Sequence, residues 1–276
     1  MKRGAVFLFL FLLILFGLYQ IPEASNERNW TIDQKIMTTV RMVDDEVQLR
    51  NIRNFTYQSE TEYERNYYDK TLKVDDIVSV DFILSHFSDW KGAAHAFLSF
   101  GFQGKEYIEY VAVSVEIRKE EGEEYSPFFG LFKQYELNYV VADERDVIRL
   151  RTNFREEPLY IFPIQASKED IAALFLSMMK RILRLETQPE FYNTLASSCM
   201  TNIANHVNEI APETIPWSYK TVFPGYADEI AYELDLVNTS VSLDELRSQY
   251  LVNTMAKQYG DGERFSQIIR KGIREN

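Results

Sequence analysis

The single cysteine of the chain, Cys199, lies in a segment whose pattern is typical of a nucleophile. Within residues 192–203, Ser197 and Ser198 are helix-start signals directly before it, and Ile203 begins an apolar series at helical spacing. A thiol at a helix start lies beside unpaired N–H groups and the positive end of the helix dipole, and both favour a thiolate. We therefore predict that Cys199 is a nucleophile, with a small buried hydrophobic residue as the alternative.

His95 is the candidate base, because a nucleophilic cysteine needs a proton acceptor within reach of the sulfur. It lies far upstream, on a predicted strand over residues 94–102. His86 and His206 compete for this role. His206 follows Cys199 by two helical turns, which puts their side chains about 10 Å apart and makes it a poor partner.

A third group is expected to orient the imidazole ring. If the chain after His95 turns back as a hairpin, Ser114 and Glu116 lie on one face of the neighbouring strand. We predict that Glu116 is the orienting carboxylate. The alternative is that Glu116 forms an ion pair with Arg118 or Arg151.

The composition excludes several classes of function. The net charge is −12 and the pI is near 4.9, which argues against nucleic acid as a partner. Three scattered histidines and one cysteine show no metal-ligand spacing, so we expect no metal and no cofactor. With 46% hydrophobic residues among 276, the chain can bury a large core as one domain with an appendage, or as two small domains.

The N-terminus indicates export. Lys2 and Arg3 precede an unbroken apolar run over residues 4–19, which is the pattern of a signal peptide. Residues 1–25 are predicted to be a signal peptide cleaved near Ala24, or an uncleaved anchor in the inner membrane. We expect a protein of the periplasm or cell envelope. An exported chain with one thiol forms no internal disulfide, so its cysteine is flagged as reactive.

The apolar pattern predicts an α+β fold, with a central antiparallel sheet, the nucleophile helix packed on it, and peripheral helices. The predicted strands cover residues 72–87, 94–102, 107–118, 136–142, 146–152 and 159–164. Residues 26–68 are expected to form short elements on the outside of the core. Residues 26–225 are assigned to one enzyme domain, and residues 226–276 to a helical C-terminal extension packed on that domain.

A series of motifs in the right order carries a resemblance to a known family. The motifs are Ala94-His95, Ser99-Phe100-Gly101-Phe102, Ser114-Val115-Glu116-Ile117-Arg118, Tyr135-Glu136-Leu137 with Tyr139-Val140, Asp143-Glu144-Arg145-Asp146, Arg149-Leu150-Arg151-Thr152, and Pro189-Glu190-Phe191-Tyr192-Asn193-Thr194 before the cysteine. Over roughly residues 50–225, the chain resembles the periplasmic (N-terminal) domain of the bacterial lipoprotein N-acyltransferase family Lnb. That family is similar to permuted papain-like (NlpC/P60-type) cysteine enzymes, in which a strand histidine precedes a cysteine at a helix start.

The resemblance implies an envelope cysteine acyltransferase. Cys199 would carry an acyl chain as a thioester and pass it to an amine, with His95 and Glu116 as catalytic partners and a lipid or lipoprotein substrate at the membrane surface. The chain departs from the family at the nucleophile, where Ser198-Cys199-Met200 replaces Asn-Cys-Thr. The alternatives are a cysteine hydrolase of peptide or amide bonds and a non-enzymatic envelope protein. A long acyl chain needs an apolar groove beside the sulfur, whereas a peptidase needs a polar cleft.

Overall fold

The computed structural model describes Gly17 and residues 22–211, 214–260 and 262–273. The predicted signal peptide or anchor over residues 1–25 therefore lies almost entirely outside the described residues. The strands are β1 Thr39–Val43, β2 Glu46–Arg53, β3 Thr56–Tyr57, β4 Tyr63–Glu64, β5 Tyr67–Lys73, β6 Ile77–His86, β7 Ala94–Gln103, β8 Ile108–Arg118, β9 Glu136–Ala142 and β10 Leu159–Pro163. The α-helices are α1 Glu144–Arg149, α2 Lys168–Thr187, α3 Cys199–Ile210, α4 Tyr219–Val222, α5 Ala227–Glu233, α6 Leu243–Tyr250, α7 Asn253–Tyr259 and α8 Phe265–Ile268.

An eight-stranded sheet organises the described part of the chain, and the predicted α+β class is confirmed. Its strands lie in the order β1-β2-β9-β8-β7-β6-β10, and β5 pairs with β2 outside this path. The pairings are antiparallel except for the contact between β2 and β9, where Arg53 lies opposite Ala142. Strands β6 to β9 are almost wholly buried, which is why their sequences are so rich in apolar residues.

The β7–β8 hairpin sets the register of the predicted site residues. Phe97 pairs with Ser114, so His95 and Glu116 lie two residues further along the two strands, at the same end of the hairpin. The turn that joins the strands lies at the opposite end, where Gln103 pairs with Ile108. The hairpin that the sequence predicted therefore brings the base candidate and the carboxylate together.

Helices α2 and α3 cover the sheet beside this hairpin. Ser167 caps α2 by accepting from the backbone N–H of Asp170. Phe175 of α2 packs edge-on against Phe100 and Phe102 of β7, with ring centroids 5.2 Å apart in both pairs. Burial of such rings stabilises the contact by roughly 1.5–3 kcal/mol each. Helix α3 packs against both α2 and strands β7 and β8, and this fixes where its first residue, Cys199, can lie.

Two predictions about the fold are wrong. Residues 146–152 form no strand: α1 and the following π-helix, Leu150–Phe154, occupy this stretch. Asp143 begins α1 by accepting from the backbone N–H of Arg145, so a helix cap overrides the apolar run. Residues 26–68 are not confined to the outside of the core, because β2 joins the main sheet and buries Val47 and Leu49.

The C-terminal helices are attached to the sheet by main-chain and side-chain contacts. Val252 donates its N–H to the carbonyl oxygen of Leu159 in β10, at 3.0 Å. Arg270 reaches the sheet interior, where its guanidinium bonds to Asp81 at 2.8 Å and to Glu144 at 2.7 Å. Ser99 of β7 completes this group by donating to Glu144. We call these four residues the sealed cluster. The boundary that the sequence suggested near residue 225 stays a prediction.

Candidate functional site

Cys199 is the first residue of α3 and is 6% exposed. Ser198 is the N-cap: its hydroxyl accepts from the N–H of Thr201, and its own N–H donates to the Thr201 hydroxyl at 2.7 Å. Serine and asparagine are both strong N-cap residues, so serine at this position keeps the helix start that the Asn-Cys-Thr pattern provides. The reciprocal capping takes up the N–H of Thr201, so the N–H groups of Cys199 and Met200 are the ones in the first turn that it does not use.

His95 lies near the start of β7, with its ring against β8. Its Nε2 atom is 2.7 Å from the hydroxyl oxygen of Ser114 and 3.1 Å from Oε1 of Glu116. Ser114 in turn donates to Glu116 at 2.7 Å. Cys199 lies near enough to His95 to contribute to raising the pKa of the imidazole. The structure thus brings together the three predicted site residues, Cys199, His95 and Glu116.

The charges around His95 favour its protonated form. Burial lowers the pKa of the imidazole, but the negative charge of Glu116 and the hydrogen bonds with Cys199 and Glu116 outweigh this and raise it to about 9. The side chain is only 14% exposed, so water screens these interactions weakly. At neutral pH, His95 is therefore an imidazolium beside the sulfur.

Glu116 is held as a carboxylate from two sides. Burial raises its pKa, but the positive charge of His95 and that of Arg151 hold the pKa well below its usual range. Arg151 donates to Oε1 of Glu116 at 3.3 Å. Arg118, the other predicted ion-pair partner, instead donates to the backbone oxygens of Gln34 and Lys35. Glu116 bonds to His95 and to Arg151 at the same time, so the predicted orienting contact and the predicted ion pair are both present.

Phe97 braces this arrangement from the same strand. Its ring stacks on the His95 ring at a centroid distance of 5.7 Å, and the Arg151 guanidinium lies 5.1 Å from the Phe97 centroid. Both ionic side chains therefore pack on one aromatic ring. This packing limits the rotation of the imidazole and of the arginine that neutralises its partner.

Two tyrosines beside the sulfur escaped the sequence analysis. The side chains of Tyr125 and Tyr192 lie close enough to each other and to Cys199 for their pKa values to depend on these neighbours. Burial and the negative charge of Cys199 raise the pKa of Tyr125 to about 12, and the same causes raise the pKa of Tyr192 further. Both hydroxyls keep their protons at neutral pH. Tyr192 was visible in the sequence as part of the segment before the cysteine, but Tyr125 lies in a loop that no pattern connected with it.

The other two histidines occupy different environments. His206 lies between the hydroxyls of Tyr139 and Ser177, at 2.8 and 2.7 Å, and burial lowers its pKa to about 4. His86 packs edge-on against Tyr160, and burial lowers its pKa as well. Of the three histidines, all within the described residues, His95 is the one whose pKa depends on Cys199.

An apolar cavity of about 200 Å³ runs along α3 on the side of Met200. Its lining is mostly apolar, with Met200, Ile203 and Val207 from the helix and Phe82 and Leu98 from the sheet. Phe128, Phe129 and Phe132 do not line this cavity and are exposed at the surface. A larger, more polar cavity of about 530 Å³ lies away from Cys199, beside Tyr68 and Asp143.

Two negative findings apply to the part of the chain that the structure describes. It contains no group of three or more histidine, cysteine, aspartate or glutamate residues arranged to hold a metal ion. It also contains no helix that is both long enough and apolar enough to span a bilayer.

Comparison with known proteins gives one match. The family model described as the Lnb N-terminal periplasmic domain matches residues 63–225, which is more than half of the chain and includes His95, Glu116 and Cys199. No curated protein and no solved structure matches the chain significantly.

Proposed function

The chain belongs to the Lnb N-terminal periplasmic domain family, and on that basis we propose that it is an envelope cysteine acyltransferase. Cys199 would take an acyl chain from a lipid or lipoprotein as a thioester and pass it to an amine. The observation that carries the proposal is the proximity of Cys199 to a protonated His95, whose ring bonds to Glu116. The order of a strand histidine before a helix-start cysteine resembles that of permuted papain-like cysteine enzymes and supports the proposal.

The first half-reaction forms the thioester. The thiolate of Cys199 attacks the carbonyl carbon of an acyl ester, so a C–S bond forms and the ester C–O bond breaks. The His95 imidazolium gives its proton to the departing alkoxide, which leaves as an alcohol. A pKa of about 9 keeps His95 protonated at neutral pH, so the acid is present before the substrate arrives.

The second half-reaction returns the enzyme to its starting state. A free amine attacks the thioester, a C–N bond forms, and the C–S bond breaks to release the Cys199 thiolate. Neutral His95 accepts the proton that the amine loses and becomes an imidazolium again. Water in place of the amine would give a free fatty acid, so the acyl-enzyme must exclude water for transfer to dominate.

Ser114 and Glu116 orient the base. They engage Nε2 of His95, which leaves Nδ1 as the nitrogen available to the sulfur. Glu116 accepts the hydrogen bond from Ser114 and is neutralised by Arg151, so it stays ionised through both half-reactions. It is thus a positioning residue that also stabilises the imidazolium.

The oxyanion of each tetrahedral intermediate needs donors that are in place beforehand. The backbone N–H of Cys199 lies at the start of α3, where no intrahelical partner exists. The hydroxyls of Tyr125 and Tyr192 lie beside the sulfur and remain protonated. We assign the oxyanion site to this backbone group and to one of the two phenols.

The apolar cavity along α3 supports a lipid rather than a peptide substrate. Met200, which follows the nucleophile in sequence, is among its lining residues, and its volume of about 200 Å³ exceeds the roughly 150 Å³ at which an apolar protein cavity binds benzene. Met200 stands at a position where the family pattern has threonine. The methionine gives the cavity an apolar and adaptable lining residue at this position.

Intact-mass spectrometry of the purified full chain tests the proposal. After incubation with phosphatidylethanolamine vesicles, the wild-type protein should gain the mass of one acyl chain, and the Cys199→Ser protein should give no hydroxylamine-labile adduct. Addition of a diacylated lipopeptide with a free N-terminal amine should discharge the adduct and yield the N-acylated product. Absence of any adduct, together with cleavage of a cell-wall peptide by the wild type, would favour the hydrolase instead.

A further inference from the structure

The loop before β9 carries an exposed aromatic surface that the catalytic proposal does not use. Phe128 is 63% exposed, and Phe129 and Phe132 are each 53% exposed. The three rings contact one another, since Phe128 lies 5.8 Å from Phe129 and 5.1 Å from Phe132 between ring centroids. We call residues 125–132 the aromatic loop. Contiguous apolar surface of this kind marks a binding surface on an exported protein.

The rings are exposed because the backbone of the loop is held in place. Thr194 donates its hydroxyl to the carbonyl oxygen of Pro127 at 2.7 Å and its N–H to that of Gly130 at 3.2 Å. Tyr135 holds the start of the loop by accepting from the N–H of Ser126 at 2.9 Å. Gly130 is buried, and a Cβ atom there would collide with the Thr194 hydroxyl. The fixed backbone therefore keeps the three rings at the surface.

The aromatic loop forms the rim of the cysteine site. Thr194, which holds the loop, belongs to the segment that leads into Cys199, and Leu195 beside it is half-exposed. Tyr125, the first residue of the loop, lies close enough to Cys199 and Tyr192 for both to affect the pKa of its hydroxyl. A surface that binds the aromatic loop therefore lies at the entrance to the nucleophile.

The N-terminal part of the chain approaches the same end of the sheet. Ser25 donates its N–H to Glu136 at 3.2 Å, and Arg28 pairs with Glu136 at 2.8 Å. Glu136 is the first residue of β9 and follows the last residue of the aromatic loop, Phe132, by four positions. The apolar run over residues 4–19 is separated from Ser25 by a stretch that spans at most about 20 Å. An anchor formed by that run would therefore hold Ser25, and Glu136 bonded to it, near the bilayer surface on which the aromatic loop is proposed to dock.

The charges near the loop indicate which lipid headgroups it can approach. Glu121 and Glu124 are exposed directly before it, and the chain as a whole has a net charge of −12. Negative charge gives no attraction to anionic headgroups. Aromatic side chains, in contrast, are favoured at the boundary between headgroups and acyl chains regardless of headgroup charge.

We propose that Phe128, Phe129 and Phe132 insert into the headgroup–acyl boundary of a zwitterionic lipid bilayer and hold the entrance of the Cys199 site against the membrane. The loop then delivers lipid from the bilayer to the sulfur without passage through water. The inference rests on the proposed function for its lipid substrate, but the docking itself needs no turnover.

The test uses the full chain with Cys199→Ser, so that an environment-sensitive fluorophore can be attached at one new cysteine. Phe128→Cys reports on the loop. Lys105→Cys is the matched control, because it is exposed in the turn at the other end of the β7–β8 hairpin, about 30 Å along the strands. The protein is reconstituted into phosphatidylcholine nanodiscs and compared with the same protein in detergent.

The fluorophore at position 128 should shift to the blue in nanodiscs and be quenched by lipids that carry a nitroxide near the headgroup, whereas position 105 should show neither effect. Adding phosphatidylglycerol should not increase the shift. Equal responses at both positions, no response at 128, or a response that needs anionic lipid would each overturn the proposal. Because these proteins lack the nucleophile, the result is independent of whether acyl transfer is observed.

A second measurement uses the Phe128→Ser/Phe129→Ser/Phe132→Ser protein with Cys199 intact. Its alkylation by water-soluble iodoacetamide should match the wild type, which shows that the site is folded. Its acylation by vesicle-borne phospholipid should fall by about tenfold or more, because the bilayer contact is lost. Unchanged acylation from vesicles would contradict the docking role while leaving the acyltransferase proposal intact.

Discussion

Strand β7 contributes to two charged clusters that differ in what their charges can do. In the sealed cluster, Ser99, Asp81, Glu144 and Arg270 are each at most 4% exposed, and the one guanidinium bonds to both carboxylates. At the cysteine site, four residues nearer the start of the strand, the Glu116 side chain is 25% exposed. There the carboxylate divides its bonds between Arg151 and a histidine that can lose its proton.

The comparison separates charge that stabilises the fold from charge that is available for chemistry. The sealed cluster is buried and its guanidinium bonds to both carboxylates, so its charges hold elements of the fold together. The cysteine site has an imidazole with a pKa of about 9, a thiol and an exposed rim. Substitutions should therefore affect stability in one cluster and reactivity in the other.

The largest effect is expected from the reacting groups. Cys199→Ser and His95→Ala should each lower acyl transfer by roughly 10⁴- to 10⁶-fold, because each removes a group that acts on the reacting atoms. Turnover of a lipid substrate by purified protein measures this, and circular dichroism checks that the fold is kept. His86→Asn is the matched control, since His86 packs against Tyr160 and should leave turnover unchanged. Near-normal turnover of either site variant would show that the charges at the cysteine site do not serve catalysis.

Arg270→Ala should have the largest effect on stability. It leaves Asp81 and Glu144 buried without their cation, at a cost of about 3–5 kcal/mol in the free energy of unfolding. Urea denaturation measures the change. Lys257→Ala is the control, because its pair with Glu156 at 2.9 Å lies on the surface and its loss should not shift the midpoint. If both variants unfold at the wild-type midpoint, the sealed cluster does not have the role assigned to it.

Glu116→Gln should change both turnover and titration. We expect turnover to fall by about 10²- to 10⁴-fold, since the imidazolium loses its counter-charge. Burial would then dominate, so the pKa of His95 should fall from about 9. In the wild type, protonation of His95 stabilises the fold fully below pH 6.5, and this contribution is lost as the pH rises through about 9.

Histidine ring resonances followed against pH provide the measurement for Glu116→Gln. The His206 resonance serves as an internal control, because its pKa of about 4 is set by its own burial and should not move. If the His95 resonance of the variant titrates at the wild-type pH, the Glu116 carboxylate does not determine the pKa of His95.

The smallest expected effect is on the intrinsic reactivity of the thiol. Iodoacetamide should alkylate Cys199 faster in the folded protein at neutral pH than in the urea-denatured chain, because the helix start and the His95 imidazolium favour the thiolate. Burial opposes this by limiting access, so the increase should be modest. Labelling that is no faster than in the denatured chain would indicate that Cys199 has a structural role, like the residues of the sealed cluster.

The sheet was predictable because strands of this kind are nearly continuous in apolar residues, as in β7 and β8. The wrong prediction of a strand over residues 146–152 has a clear physical reason. Val147, Ile148 and Leu150 suit a buried strand as well as a buried helix, and apolar periodicity cannot separate the two over such a short run. Asp143 was the deciding signal, as a cap that begins a helix.

The candidate site was predictable in its strand and helix residues but not in its loop residues. Glu116 followed from His95 once a hairpin was assumed, since strand register is simple geometry. Tyr125 depends on how the aromatic loop folds against Thr194, and local pattern gives no information on this. The sealed cluster was equally hidden, because Arg270 and Glu144 are 126 positions apart. The catalytic roles of Cys199, His95 and Glu116 remain predictions for the experiments above.

The sealed cluster also has a consequence for the order of biogenesis. Chains are synthesised from the N-terminus at about 5–20 residues per second, so Arg270 emerges roughly 6–25 s after Glu144, which precedes it by 126 positions. Until then, Asp81 and Glu144 have no cation, and the fold lacks the roughly 3–5 kcal/mol that loss of this partner would cost. The stability of the sheet therefore depends on a residue that is synthesised after the strands themselves.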